Sequence, residues 1–135
     1  MMIAKQENAV VKTNVKMLEF FRYEEFDSPD LPNSGRANMD AEFLRMLDHA
    51  RGIARVPFKI TSGYRTEEHN QKVGGVKNSS HIKGKAVDIA VSSSRERWNI
   101  LQALQSAGFN RFGLAKTFIH VDNDGEKSDN VIWTY

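Results

Sequence analysis

Two short stretches constrain this chain more than any others. In "KAVDIAV", residues 85–91, and "TFIHVD", residues 117–122, apolar and polar side chains alternate. Successive side chains on a β-strand point to opposite faces, so each stretch offers one aliphatic face and one face that carries chemistry. Val87, Ile89 and Val91 fall together on the first strand, opposite Ala86, Asp88 and Ala90. On the second, Ile119 and Val121 oppose Phe118, His120 and Asp122. An aliphatic face of this kind must be buried under another layer, which helices can provide.

The chain supplies those helices. In "DAEFLRMLDHARGIA", Asp40 is placed to cap, Met39 and Leu44 are spaced as a hydrophobic staple, and Phe43, Leu47, Ala50 and Ala54 recur at helical spacing. In "SSRERWNILQALQSAG", Ser93 and Glu96 have capping-box spacing, Trp98, Leu101 and Leu104 are read as the inward face, and Gly108 is the stop. A short strand is predicted from Phe58 to Ser62, followed by a brief helix, "EEHNQKV", capped by Thr66 and closed by Gly74 and Gly75. "FDSPDLPNSGRAN" reads as an irregular loop, and the turn-rich "NDGEKSDN" leads into a last strand, "NVIWTY". This order predicts an α+β fold, a small antiparallel sheet with helices packed on one face, as one domain over residues 1–135.

Composition narrows the chemistry. Nineteen basic and seventeen acidic groups leave a net charge of +2, too balanced to point to nucleic acid. Without cysteine there is no disulfide, thiolate ligand or catalytic thiol, so any metal rests on His, Asp or Glu. The opening "MMIAKQENAVVKTN" lacks the apolar core of a signal peptide, and no run approaches a membrane span. The expectation is a monomer made in the cytoplasm without a signal peptide.

If the two alternating strands are neighbours with faces aligned, Asp88 and His120 come within roughly 5 Å, and a turn through "HIKGK" can bring His81 over them. Two neutral imidazoles and one carboxylate form a shell suited to catalytic zinc, with a fourth position left open. The competing reading is that Asp88 is a satisfied polar group and both histidines are incidental.

"SSHIKGKAVDI" resembles the S-x-H-x-x-G-x-A-x-D pattern of the zinc peptidase family that contains the D-Ala-D-Ala carboxypeptidases and dipeptidases, through Ser79, His81, Gly84, Ala86 and Asp88. The resemblance extends to "SGYRTEEHNQKVGG" upstream and "FIHVD" downstream, and is nearest to the small phage and bacterial members. It implies Zn2+ held by His81, Asp88 and His120, Arg65 gripping a peptide carboxylate, and the α+β fold shared with the hedgehog signalling domain. The implied function is hydrolysis of peptidoglycan stem peptides by metal-activated water, as a D,D-carboxypeptidase or cell-wall endopeptidase such as a phage lysin, acting after release or from a virion. Ser79 and Tyr64 are read beside the substrate, although Tyr64 can equally well simply pack.

One position departs from the pattern. Where many such peptidases carry a glutamate base, three residues before the last histidine ligand, this chain has Thr117. Asp122 is the carboxylate nearest in sequence. It is read as a base or as a hydrogen-bonding support for a ligand histidine, against the plainer alternative that it belongs to the following turn. The missing glutamate keeps a second function open, a zinc-stabilised cell-wall-binding or structural module with little or no turnover.

Overall fold

The computed structural model describes residues 18–135; the N-terminal stretch read for a signal peptide lies outside them. Four α-helices, α1 (Ser34–Asn38), α2 (Ala41–Ala54), α3 (Glu67–Lys72) and α4 (Ser94–Ser106), accompany five strands: β1 (Ile60–Ser62), β2 (Ala86–Ala90), β3 (Arg111–Leu114), β4 (Phe118–Asp122) and β5 (Val131–Thr134). A 3-10 turn, Tyr23–Phe26, precedes them. The strands form one sheet in the order β1-β2-β4-β3-β5.

The expected α+β architecture is present. The two alternating strands pair antiparallel at the sheet centre, with Val87 opposite Val121, Asp88 opposite His120 and Ile89 opposite Ile119. Their aliphatic side chains are fully buried, together with Phe43, Leu47 and Ala50 of α2 and Ile100 and Leu104 of α4. These two helices pack against each other, and their residues join the strands' aliphatic face in one core. The Asp40 side chain accepts from the Phe43 N–H and the Ser93 side chain from the Glu96 N–H, as the capping signals require.

Four local expectations change. The sheet is mixed, because β5 runs parallel to β3, a strand that sequence periodicity did not reveal. Residues 123–130 carry the chain past the end of β3, so β4 and β5 are not neighbours. The loop read in "FDSPDLPNSGRAN" contains α1: Asn33 takes a left-handed conformation, and the Asp27 carboxylate accepts from the Asn33 and Gly35 N–H groups, giving this short helix its start. Trp98 is 65 % exposed rather than inward, and the buried stripe of α4 is Ile100, Ala103 and Leu104. The strand begins at Ile60 rather than Phe58, whose side chain is instead in the core. Among the described residues no helix is long and apolar enough to cross a membrane.

With one face covered by helices, the other is left for chemistry. Across it runs a row of register partners, Ser62, Asp88, His120, Gly113 and Trp133.

Candidate metal centre

His81 reaches this face from the connection between α3 and β2. The connection is seated by Gly84, whose φ is +70° and whose missing side chain lets the backbone pass Asn38; an added Cβ would lie 2.0 Å from the Asn38 carbonyl oxygen. The Gly84 carbonyl in turn accepts from the Asp40 N–H at 2.9 Å. His81 is almost wholly buried, and its Nδ1 lies 2.8 Å from the Gly63 carbonyl oxygen. A carbonyl only accepts, so Nδ1 carries the proton and Nε2 presents a lone pair, 3.3 Å from Asp88 Oδ1.

His120 is held in the complementary sense. Its Nε2 is 2.7 Å from Asp122 Oδ2 and its Nδ1 is 3.0 Å from Asp88 Oδ1. Burial works against the Asp122 charge, but hydrogen bonds from His120 and Arg111 outweigh it and hold the carboxyl below its usual range. An ionised Asp122 fixes the proton on Nε2 and turns the Nδ1 lone pair toward Asp88.

Three acceptor atoms, His81 Nε2, Asp88 Oδ1 and His120 Nδ1, therefore point into one space and lie within 4.8 Å of one another. Lone pairs facing each other in a buried site repel unless a cation sits among them. A metal ion satisfies all three, and the donor set suits zinc. Without a metal, a proton must serve. Burial would lower the His120 pKa, but Asp122 and Asp88 overcome it and raise it, while the imidazoles hold the buried Asp88 carboxyl well below the ordinary carboxylate range.

A second layer fixes these groups. Arg65 donates from Nε to Ser62 Oγ at 2.9 Å, from Nη1 to Asn70 Oδ1 at 3.1 Å and from Nη2 to Asp88 Oδ2 at 3.4 Å, leaving Asp88 Oδ1 for the centre. Asp122 is 1 % exposed, and its Oδ1 accepts from Arg111 Nε at 2.6 Å and from the Asp124 N–H at 3.1 Å. Asp124 in turn accepts from Ser80 Oγ at 2.7 Å and from Lys83 Nζ at 3.0 Å, which ties the β4–β5 connection to the His81 segment. The space above the row is an open cleft of about 450 Å3 whose lining includes Arg65, Ser79, His81, Asp88, His120 and Trp133.

The peptidase M15 family profile matches residues 9–122, a span that takes in the His-Asp-His group, Arg65 and Asp122 and ends before β5. The chain belongs to the peptidase M15 family. No curated protein matches it. Membership makes this M15 chain a metallopeptidase with a peptide substrate, and the buried His81-Asp88-His120 group is where it can bind a metal ion.

The remaining residues singled out in the sequence of this M15 peptidase fall in different places. Ser79 lines the cleft and its Oγ accepts from the His81 N–H at 3.2 Å. Tyr64 is not among the cleft-lining residues; its side chain packs against the hydrophobic core. Thr117, at the position of the missing glutamate, lies just before β4 and lends its carbonyl oxygen to the Val91 N–H. Sequence reasoning missed Arg111, Ser80, Asp124, Gly113 and Trp133. Arg111 and Gly113 sit on the unrecognised β3, while the bond between Ser80 and Asp124 spans 44 positions and leaves no local signal.

Proposed function

We propose that the chain is a zinc peptidase that holds one Zn2+ through His81 Nε2, Asp88 Oδ1 and His120 Nδ1 and hydrolyses peptidoglycan stem peptides, as a D,D-carboxypeptidase or a related cell-wall endopeptidase. The observation that carries this reading is the convergence of three buried lone pairs, each fixed from behind by a hydrogen bond to the other end of its side chain. Zinc bound in such a set supplies Lewis-acid chemistry, polarising a carbonyl and acidifying water near neutral pH.

The protein's own groups then have separate tasks. Arg65 spends three of a guanidinium's five N–H donors on Ser62, Asn70 and Asp88, and the other two are available at the cleft for a substrate carboxylate. Gly63 and Asp122 hold the two imidazole tautomers. Both Asp122 oxygens are engaged by His120, Arg111 and Asp124, so its role is to orient His120 and keep the proton on Nε2, in preference to acting as a free base.

That same engagement, with Thr117 in place of a glutamate, favours a second reading, a zinc-stabilised cell-wall module with little turnover. Mass spectrometry of the zinc-loaded protein incubated with a D-Ala-D-Ala-ended pentapeptide, and with purified cell walls, separates the two. Product from either is expected. Tight zinc with no product from both substrates would leave the module.

A further inference from the structure

The strand β5 lies outside the span matched by the family profile, yet it reaches the centre. Gly113 is the register partner of His120 on one side and Trp133 on the other. A Cβ built on Gly113 would lie 2.5 Å from Trp133 Nε1 and 2.9 Å from the Tyr135 hydroxyl. The space a side chain would fill is thus occupied by an indole and a phenol leaning inward from the sheet edge. Trp133 reaches His120, with ring centroids 5.4 Å apart, and Tyr135 packs on Phe118 at the same centroid distance. The phenol hydroxyl lies over Gly113, one strand from His120, within range of the Asp88, Asp122 and Arg65 charges.

The two sides of the centre differ in chemistry. On the β1 side stands Arg65, with the exposed side chains of Val73 and Val76 beyond it. On the β5 side stand an aromatic surface and a hydroxyl whose pKa burial pushes above its ordinary value, so that it is protonated and able to donate at neutral pH. Tyr135 is among the residues that line the cleft, and its side chain is largely exposed.

Resting on the peptidase reading above, we infer that Trp133 and Tyr135, admitted over the sheet by Gly113, form the substrate-contacting wall of the cleft, with the Tyr135 hydroxyl donating a hydrogen bond to a carbonyl of an extended peptide whose small aliphatic side chains lie on the indole. Gly113 is then a positioning residue. Alanine there must displace the indole or the strand, since 2.5 Å is far inside any carbon–nitrogen contact.

The chain has two tryptophans, so Trp98→Phe, a change on the exposed face of α4, leaves Trp133 as the sole indole reporter. Rapid mixing of this zinc-loaded protein with a D-Ala-D-Ala-ended pentapeptide is expected to change Trp133 emission within the first turnover. Tyr135→Phe in the same background is expected to keep one zinc per chain while kcat/KM falls roughly threefold to tenfold, the scale of one neutral hydrogen bond. Gly113→Ala is expected to shift Trp133 emission before any peptide is added, with zinc retained; if that variant does not fold, Tyr135→Phe carries the test. Peptide cleavage with no change in Trp133 emission and an unaltered kcat/KM in Tyr135→Phe would overturn the wall and leave the peptidase reading standing. A parent protein that loads zinc but neither binds nor cuts the peptide would overturn the peptidase reading, and this inference with it.

Discussion

Asp122→Asn changes almost nothing in shape and a great deal in electrostatics. The carboxylate is 1 % exposed and accepts from Arg111 Nε, His120 Nε2 and the Asp124 N–H. An asparagine can keep its oxygen toward Arg111 and the Asp124 amide, but its NH2 group then faces His120 Nε2. That nitrogen must become an acceptor, the imidazole proton moves to Nδ1, and the lone pair aimed at the centre is lost. The expected loss of zinc affinity is about 10- to 100-fold, the range for removal of a ligand's orienting partner. The guanidinium of Arg111, itself largely buried, also loses its counter-ion, a change worth roughly 3–5 kcal/mol when one partner of a buried pair is removed. Zinc affinity is read by competition with a chromophoric chelator, the tautomer by long-range nitrogen–proton NMR correlations of the imidazole, and stability by urea denaturation of the metal-free protein. A variant with parental zinc affinity and the proton still on Nε2 would refute the argument. Retained zinc affinity with turnover lower by roughly 10² to 10⁴ would instead make Asp122 the base.

Further outcomes follow from the groups around the centre. Arg65→Lys keeps the charge but loses the planar fork, so preference for a peptide acid over its amide should shrink while one zinc per chain remains; equal kcat/KM for acid and amide in the parent protein would remove that role. Asp124→Asn should cost roughly 1–3 kcal/mol in urea denaturation, because the Ser80 and Lys83 bonds lose their charged acceptor. Burial opposes the Asp124 charge, yet the hydrogen bonds from Ser80 and Lys83 push its pKa down to about 2. A depressed carboxylate pKa contributes stability above the unfolded value and loses it as pH falls through the folded one, so the parent protein should lose more stability between about pH 4 and pH 2 than Asp124→Asn does.

Much of this arrangement was legible in the sequence because it depends on strand alternation. Once Asp88 and His120 each oppose an aliphatic face, burying those faces under α2 and α4 brings the two residues to the same side, and pairing of the strands sets them opposite each other. His81 was legible through its neighbour Gly84, whose turn and close approach no other residue allows so cheaply. The same periodicity fails for β3, which shows only four residues, Arg-Phe-Gly-Leu, with a glycine where a side chain would define the pattern. Without β3, neither the parallel placement of β5 nor the Arg111 bond to Asp122 can be foreseen. Trp98 was misplaced because hydrophobicity was read as inwardness, whereas the stripe through Ile100, Ala103 and Leu104 already fills the helix face that meets the sheet. The Asp122 role stayed open in the sequence because alternation gives a residue's face but not its partners, and here the partners decide its chemistry.

The central claim, that His81, Asp88 and His120 together hold one zinc ion, is tested most directly by calorimetric titration of zinc into metal-free protein, for the parent and for His81→Ala, with far-ultraviolet circular dichroism to establish that both are folded. The account predicts a single tight site per chain in the parent and its loss in the folded variant. Zinc binding of equal stoichiometry and affinity in His81→Ala would contradict it.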